Sequence, residues 1–208
     1  MIPSPPNFKG LQSDAPVTSY RRNLPHWRQE GACYFITAHL RDSLPEAAMK
    51  ELGELRARLT KTSNPELFKQ LESKTEFWLD KGYGACPFRE LAHRKMLHQA
   101  FTYFHLERVE LGAFVIMPNH VHAIARPLGD WKLESWMGSI KQFVSHRIPS
   151  EGTLWFEESF DRIIRDVDHL QRCIRYIGRN PGRPLKEIPT HQLWLNPEWV
   201  DLGYRFSA

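Results

Sequence analysis

The chain has 208 residues, with 28 lysines and arginines against 24 acidic residues, and a net charge of +4. This length is enough for one domain with a hydrophobic core, and no apolar run approaches the ~20 residues of a membrane-spanning helix. Residues 1–9 lack an apolar signal-peptide core, so we expect a cytoplasmic protein. Cys33, Cys86 and Cys173 lie far apart without a C-x-x-C pair, which argues against a disulfide framework or a cysteine zinc site.

The first half of the chain predicts one strand followed by helices. Residues 1–20 are rich in proline and poor in apolar side chains, so we expect a flexible N-terminal arm. Residues 32–40 are aromatic and β-branched, which is typical of a strand. Leu44-Pro45, Asn64-Pro65 and Pro87 each have the pattern of a helix start. They predict three helices in succession before the next strand.

The second half of the chain predicts a strand pair and two more helices. Strands are predicted at 109–117 and 120–125 and are followed by a helix at 131–148. Strand and loop are predicted at 154–164, followed by a helix at 166–179. Strands separated by helices, with one tight pair in the middle, favour an α+β fold with a ferredoxin-like antiparallel sheet and helices on one face. We expect this domain to span residues 21–190 and to be followed by a C-terminal tail over 191–208.

His120 and His122 are two residues apart in a predicted strand. Because side chains alternate across a strand, both imidazoles project from one face, while Val121 points to the other. Two neutral imidazoles side by side can bind one divalent cation. The alternative is a pair of half-exposed polar residues on a sheet surface, and the H-x-H spacing alone does not decide between the two.

A second group of candidate residues lies on the last predicted helix. Tyr176 and Asn180 are four residues apart and share a helix face, while Ile174 and Ile177 form a neighbouring stripe that would pack on the sheet. If that face meets the histidines, Asn180 can be a third metal ligand and Tyr176 a nucleophile. A phenol with a pKa of about 10 is a poor nucleophile unless a metal activates the phosphate. The alternatives are a tyrosine at the edge of the core and an ordinary asparagine at a helix end.

Basic and aromatic residues surround these candidates in sequence, and the net positive charge permits nucleic-acid binding. We predict that ten residues bind DNA: Arg21, Arg22, His26, Trp27, Arg28, Arg162, Arg165, Arg172, Arg175 and Arg179. The cations would contact phosphates, and Trp27 would stack on an unpaired base. The alternative for the arginine run is a solvated helix face. Trp131, Trp155 and Phe156 are further stacking candidates, with core packing as their alternative.

The motifs together resemble a known family. The stretch 117–122, Met-Pro-Asn-His-Val-His, resembles the HUH metal motif, histidine–hydrophobe–histidine, of single-tyrosine transposases. Further blocks lie at 20–27, 34–37, 155–166 and 176–181. With these blocks in this order, the chain looks like a REP-associated tyrosine transposase. This resemblance implies the HUH endonuclease fold, which is an α+β fold with a ferredoxin-like or RRM-like antiparallel sheet and helices packed on it.

The resemblance also implies roles for single residues. His120 and His122 become metal ligands, Asn180 the third ligand and Tyr176 the nucleophile. The implied cofactor is Mg²⁺ or Mn²⁺, and the implied partner is single-stranded hairpin DNA of the repetitive extragenic palindrome type. Family members cut such DNA near a short flanking tetranucleotide and form a 5′-phosphotyrosine link. A nucleoid-associated monomer or homodimer would fit this activity.

The chain departs from the family pattern in two places. At Gly178 the relatives commonly carry histidine or another side chain, and a glycine here weakens the helix by roughly 1 kcal/mol relative to alanine. Residues 42–83 look like a helical insertion relative to the shortest family members.

Two other functions are alternatives. A histidine-triad phosphohydrolase requires a further histidine two residues on, but position 124 is Ile124. A catalytically silent nucleic-acid-binding domain on the same fold would be expected if Tyr176 or either histidine of the H-x-H motif were missing, and none of them is. Covalent capture of DNA by the intact protein, but not by a Tyr176 variant, distinguishes an enzyme from a silent domain.

Overall fold

A computed structural model describes residues 2–21, 25–61, 64–182 and 185–207. The strands and helices in chain order are β1 (Thr18–Arg21), β2 (Pro25–Arg28), β3 (Tyr34–His39), α1 (Glu46–Lys61), α2 (Pro65–Leu79), α3 (Leu91–Thr102), β4 (Val109–Ile116), β5 (His120–Pro127), α4 (Leu133–Ser145), β6 (Phe160–Ile163), α5 (Val167–Arg179), β7 (Leu193–Leu195) and α6 (Pro197–Asp201). Within these described ranges, no helix has both the length and the apolar character needed to cross a bilayer.

Five strands form one antiparallel sheet in the order β6-β3-β5-β4-β7. The segment from β3 to β6 follows the β-α-β-β-α-β pattern, with α1 to α3 in the first crossover and α4 in the second. Its strand order, with the first and third strands in the centre, is that of a ferredoxin-like sheet. The predicted fold class, α+β with an antiparallel sheet, is therefore confirmed. β7, which the sequence pattern did not predict, adds a fifth strand beside β4.

Helices cover both faces of the sheet, whereas we expected them on one. Val121, Ala123 and Ala125 of β5 lie in a core with α3 and α4, and this side is called the α3/α4 face. His120 and His122 project to the opposite side, where α5 packs, and this side is called the α5 face. The physical reason is that every residue of β3 and β4 is buried. Strands that are buried along their whole length need cover on both sides.

α1 and α2 pack together beside the sheet, where the sequence predicted two successive helices. The Asn64 side chain accepts a hydrogen bond from the backbone N–H of Glu66 at 2.9 Å, and Pro65 occupies the first helical turn, so both start signals of α2 are used. Leucines from both helices form a small core that includes Phe160 of β6. The helical pair is thus anchored to the edge strand of the sheet.

Both ends of the chain contact the sheet. The N–H of Cys33 donates to the carbonyl of Lys9 at 3.0 Å, and that of Leu11 donates to the carbonyl of Ile164 at 3.0 Å. The hydroxyl of Tyr204 donates to the carbonyl of Pro3 at 3.0 Å. The division of the chain at residues 20 and 190 remains a prediction, but described residues on both sides of each boundary pack together. Local composition, on which the predicted boundaries rest, does not reveal such long-range contacts.

Candidate metal and nucleophile site

His120 and His122 lie at the start of β5, side by side on the α5 face. In the register of β3 against β5, His120 is opposite His39 and His122 is opposite Thr37. The two imidazole centroids are 4.9 Å apart. The side chains are 1% and 0% exposed, so the interpretation as a half-exposed surface pair is wrong. Two imidazoles are therefore held together inside the protein.

Hydrogen bonds orient both rings. Nδ1 of His120 lies 2.8 Å from Oδ1 of Asn119, whose amide nitrogen donates to the carbonyl of Tyr83 at 2.9 Å. Because an amide oxygen only accepts, Nδ1 of His120 carries the proton and Nε2 has a free lone pair. Nδ1 of His122 lies 2.8 Å from Oγ1 of Thr37. Such outer contacts typically fix the ring orientation and tautomer of metal-binding histidines.

Burial keeps both imidazoles neutral near pH 7. Desolvation, followed by the positive charge of Arg162, lowers the pKa of His122 to about 3. Desolvation is also the main cause that lowers the pKa of His120, and the neighbouring His122 and His39 add to it. A histidine binds a cation through a neutral nitrogen, so these rings are in the ligand form at physiological pH.

α5 brings Tyr176 and Asn180 to the histidine pair, as the four-residue spacing predicts. The Tyr176 hydroxyl lies 3.4 Å from Nε2 of His122, and the two ring centroids are 5.2 Å apart. The Asn180 carboxamide faces His120 and favours its protonated form, which acts against the lowered pKa of that ring. Ile174 and Ile177 are buried in the core of the same face, so they fix the rotation of the helix.

The donor atoms fit a divalent cation. Nε2 of His120 and Oδ1 of Asn180 are buried and have no hydrogen-bond partner in the described chain. Both atoms have a lone pair to donate, and a metal ion would satisfy both. Among the residues that the structure describes, no three His, Cys, Asp or Glu side chains gather around one point. A metal here would therefore be held by two histidines and one amide, with positions left open for phosphate oxygens.

Gly178 lies where the C-terminal segment crosses α5. A Cβ atom at this position would come within 2.5 Å of the Cβ of Phe206 and 2.8 Å of its carbonyl oxygen. The helix continues through Gly178 to Arg179. The glycine is thus required by a close approach of the backbone at 206, and this packing holds the helix that carries Tyr176.

Helix α2 also reaches the site, which the sequence analysis did not predict. Arg162 of β6 donates a hydrogen bond to Glu72 of α2 and lies over the Phe35 ring, 4.7 Å from its centroid. One turn further along α2, the Glu76 carboxylate lies near enough to Tyr176 for its negative charge to raise the pKa of that phenol. The two residues are 100 positions apart in the chain, so no local motif could have predicted this proximity.

The surroundings of Tyr176 oppose its ionisation. Desolvation is the largest cause that raises the pKa of Tyr176, and the negative charges of Glu76 and Asp80 raise it further. Burial, followed by the charge of Glu72, raises the pKa of Glu76 to about 7. The phenol is therefore protonated at rest, and a nucleophilic role requires a group that removes its proton.

The predicted DNA-binding arginines on and before α5 are accessible. Arg165, Arg172 and Arg179 are exposed and Arg175 is half-buried. Arg162 is half-buried and faces Glu72. A cleft of about 670 Å³ opens beside this row, and its lining includes Trp27, Phe68, Arg162, Arg165 and His169. This cleft is called the Trp27 cleft.

The predicted DNA-binding residues near β2 are arranged differently. His26 is buried and its Nδ1 lies 2.7 Å from Oδ2 of Asp161, while Arg28 pairs with Asp161 and Glu134. Both side chains thus join β2 to other elements, and their role in DNA binding remains a prediction. Trp27 is 38% exposed. Its ring meets that of Phe68 edge-on at a centroid distance of 5.4 Å. The side chain of Arg21 and all of Arg22 lie outside the described residues.

The further stacking candidates, Trp131, Trp155 and Phe156, lie in different surroundings. Trp155 is buried in the core and its ring lies 5.6 Å from that of Phe88, so the core alternative is correct for it. Phe156 stacks on His39 at a centroid distance of 4.6 Å. Trp131 is exposed but lies under Arg108, far in sequence from the site.

No protein-family model matches the chain, and no curated protein matches it. Among solved structures, the chain is similar to a REP-associated tyrosine transposase bound to a REP hairpin. The two are 20% identical, and the match covers 79% of this chain and 73% of that chain with a TM-score of 0.47. At this degree of similarity, function has to be inferred from the site and from the sequence motifs.

Proposed function

We propose that this protein is a metal-dependent endonuclease and strand transferase that cuts single-stranded hairpin DNA of the repetitive extragenic palindrome type and forms a 5′-phosphotyrosine intermediate. The observation that carries the proposal is the Tyr176 hydroxyl, 3.4 Å from Nε2 of His122 and beside a buried set of free ligand atoms. The DNA class is that of the transposase family which the H-x-H motif and the surrounding blocks resemble.

The residues have complementary roles. The Tyr176 oxygen attacks the phosphorus, the bond to the 3′ oxygen breaks, and the upstream strand leaves with a free 3′ end. The covalent link conserves the phosphodiester bond, so a strand can later be joined without ATP. His120, His122 and Asn180 would hold Mg²⁺ or Mn²⁺, which when bound neutralises charge on the scissile phosphate.

The substrate strand would reach Tyr176 along the Trp27 cleft and the arginine row of α5. Arg165 lines the cleft, and Arg172 and Arg179 are exposed further along α5. Lysine and arginine contacts to phosphates supply affinity without regard to sequence, and an aromatic wall suits unpaired bases. A perfect duplex lacks the unstacked bases that this cleft would take, so we expect it not to be cut.

The test is covalent capture of DNA labelled at the 5′ or the 3′ end. Wild-type protein and hairpin DNA are incubated with Mg²⁺ or Mn²⁺ and separated by denaturing electrophoresis. The protein should carry label from the fragment downstream of the cut, and Tyr176→Phe should carry none, because it keeps the ring but lacks the attacking oxygen. Excess chelator should abolish capture.

The matched control is Tyr103→Phe, since Tyr103 is 74% exposed and follows α3, away from the histidines. This variant should capture DNA as wild type does. Capture by Tyr176→Phe would show that another tyrosine is the nucleophile, and capture in chelator would remove the metal from the mechanism. Hairpin binding without any capture by wild type would instead favour the silent DNA-binding domain.

A further inference from the structure

Arg162 differs from the arginines of α5 in where its side chain lies. In the register of β6 against β3 it is directly opposite Phe35, and directly opposite residues of a strand pair project to the same side. Because Phe35 belongs to the core of the α5 face, Arg162 projects to that face as well. Its guanidinium lies over the Phe35 ring, with Cζ 4.7 Å from the ring centroid.

The Phe35 ring connects Arg162 to the candidate site. The imidazole of His122 stacks on this ring at a centroid distance of 5.5 Å, and the ring of Tyr176 meets it edge-on at 5.8 Å. After desolvation, the charge of Arg162 is the next cause that lowers the pKa of His122, which agrees with this proximity. The ring thus borders the guanidinium, a proposed metal ligand and the proposed nucleophile.

Glu72 of α2 holds the guanidinium in place. Nη1 of Arg162 donates a hydrogen bond to Oε1 of Glu72, whose side chain is only 15% exposed. Leu71, Thr75 and Leu79 of the same helix are buried, so they fix the rotation of α2 and the direction of Glu72. A guanidinium has five N–H donors, so Glu72 leaves others for a second oxygen anion.

The guanidinium is also accessible to a substrate. The side chain of Arg162 is 33% exposed and lines the Trp27 cleft together with Glu72. A strand that runs from this cleft to Tyr176 would meet it. We propose that Arg162 binds the non-bridging oxygens of the scissile phosphate and stabilises the charge that develops on them during cleavage, and that Glu72 is its positioning residue. This role rests on the proposed function.

The step takes no proton from Arg162. The bond from the Tyr176 oxygen to phosphorus forms as the bond to the 3′ oxygen breaks. The phenol releases its proton to solvent, and the departing 3′ oxygen takes one up from solvent. A guanidinium keeps its charge at neutral pH, and its planar fork can make two parallel hydrogen bonds to a phosphate. Donors that act on the transition state raise the rate, whereas the arginines of α5 would supply affinity along the strand.

The experiment measures the cleavage rate at saturating hairpin DNA separately from hairpin affinity, with Mn²⁺ present. Arg162→Ala should lower the saturating rate by about 100-fold or more, and it should weaken affinity only as one lost phosphate contact does. Added guanidine hydrochloride, below denaturing concentrations, should restore part of the rate by occupying the vacated position, and equal NaCl should not. Tyr176→Phe lacks the nucleophile and should not be rescued.

Glu72→Gln tests the positioning role. It keeps the shape of the side chain but loses the charge that orients the guanidinium, so the saturating rate should fall by about 10-fold. The double variant with Arg162→Ala should be no slower than Arg162→Ala alone, because Glu72 acts through Arg162. Glu54→Gln makes the same change at an exposed position of α1 and is the control, which should cleave as wild type does.

Several outcomes would overturn the proposal. A wild-type saturating rate in Arg162→Ala, with only affinity reduced, would make Arg162 an ordinary phosphate contact. A slow Arg162→Ala that guanidine does not rescue would indicate a merely structural role. Additive losses in the double variant would refute the positioning role of Glu72.

Arg162→Lys keeps the inference testable if circular dichroism shows that Arg162→Ala does not fold. It retains the charge without the planar fork and should be slow, so a wild-type rate in this variant would overturn the proposal. If wild type itself captures no DNA, the proposed function has failed and this role fails with it. Capture by wild type that is insensitive to both Arg162 variants would remove this inference alone.

Discussion

The two faces of the sheet are buried to the same degree but are built from different side chains. The α3/α4 face is packed with apolar residues such as Leu97, Phe101 and Ile140. The α5 face has an apolar half, with Ile124 and Ile174, and a polar half where the histidine pair meets Tyr176. β3, β4 and β5 supply side chains to both faces, because alternate residues of a strand point in opposite directions.

This difference separates stability from chemistry within one sheet. Apolar burial stabilises the fold by about 25 cal/mol per Å². Buried polar groups cost free energy unless they are partnered, and on the α5 face two of them, in His120 and Asn180, are left without partners. On the α3/α4 face the indole nitrogens of Trp136 and Trp155 also lack a partner, but an indole N–H is a donor only and cannot bind a cation. The unpartnered imidazole nitrogen and amide oxygen of the α5 face can both bind one, so this face is the candidate for function. Substitutions on the two faces should therefore have different consequences.

The largest effect should come from His122→Gln on the α5 face. It removes one neutral nitrogen from the proposed metal site, and DNA capture should fall by more than about 100-fold. Even mutation of a residue that only hydrogen-bonds to a metal ligand commonly lowers metal affinity or activity by about 10- to 100-fold. Ile124→Val, on the same face of the same strand, is the control, and it should cost only about 0.5–1.5 kcal/mol in stability. Equal capture by wild type and His122→Gln would refute the separation.

The reverse result is expected for Leu97→Ala on the α3/α4 face. Leu97 is fully buried, and the cavity should lower the free energy of unfolding by about 2–5 kcal/mol, as measured by urea denaturation. Capture per folded molecule should be unchanged at a temperature where the variant stays folded. Lost capture in a folded Leu97→Ala would mean that the two faces are coupled.

A smaller effect is expected for Thr37→Val, which replaces a hydroxyl by a methyl group of similar size. Thr37 lies 2.8 Å from Nδ1 of His122 and orients that ring. Capture should fall by about 10- to 100-fold, and half-maximal activity should require more metal. Thr37→Ser retains the hydroxyl and should restore activity; if it does not, the effect of the valine comes from packing.

The smallest effect is expected for Arg165→Ala, which lies outside both faces. One lost phosphate contact should weaken hairpin binding for many DNA sequences and lower the slope of log affinity against log salt by roughly one unit. The exposed Lys95 on α3 provides the control, because Lys95→Ala should leave the slope unchanged. An unchanged slope for Arg165→Ala would assign it to the solvated surface.

Much of the sheet could be predicted because its strands have strong local signals. Residues 109–117 and 120–125 overlap β4 and β5, and the Asn64-Pro65 pair marks the start of α2. β7 was missed because three half-buried residues, Leu193–Leu195, give no clear alternation. The helices on both faces were missed because continuous burial of β3 and β4 is a property of the fold rather than of any one segment.

The site was predictable to the extent that it is local. His120 with His122, and Tyr176 with Asn180, are each linked by strand or helix spacing, and the structure brings the two pairs together; their roles remain proposals. Thr37 contacts His122 only through strand pairing, and the charge of Glu76 acts on Tyr176 only through the packing of α2. Those interactions depend on tertiary structure, which short sequence motifs do not encode. The burial of His26 escaped prediction for the same reason, since its partner Asp161 is 135 positions away.

The alternation along β5 has a consequence for errors during folding. A shift of β5 by one residue against β3 would exchange its two sets of side chains. Both imidazoles would then enter the α3/α4 face among leucines and phenylalanines, and Val121 would face Tyr176. The two histidines of the proposed site thus also disfavour the incorrect strand register. A chain that pairs in the wrong register therefore buries two imidazoles among apolar side chains and also lacks the assembled site.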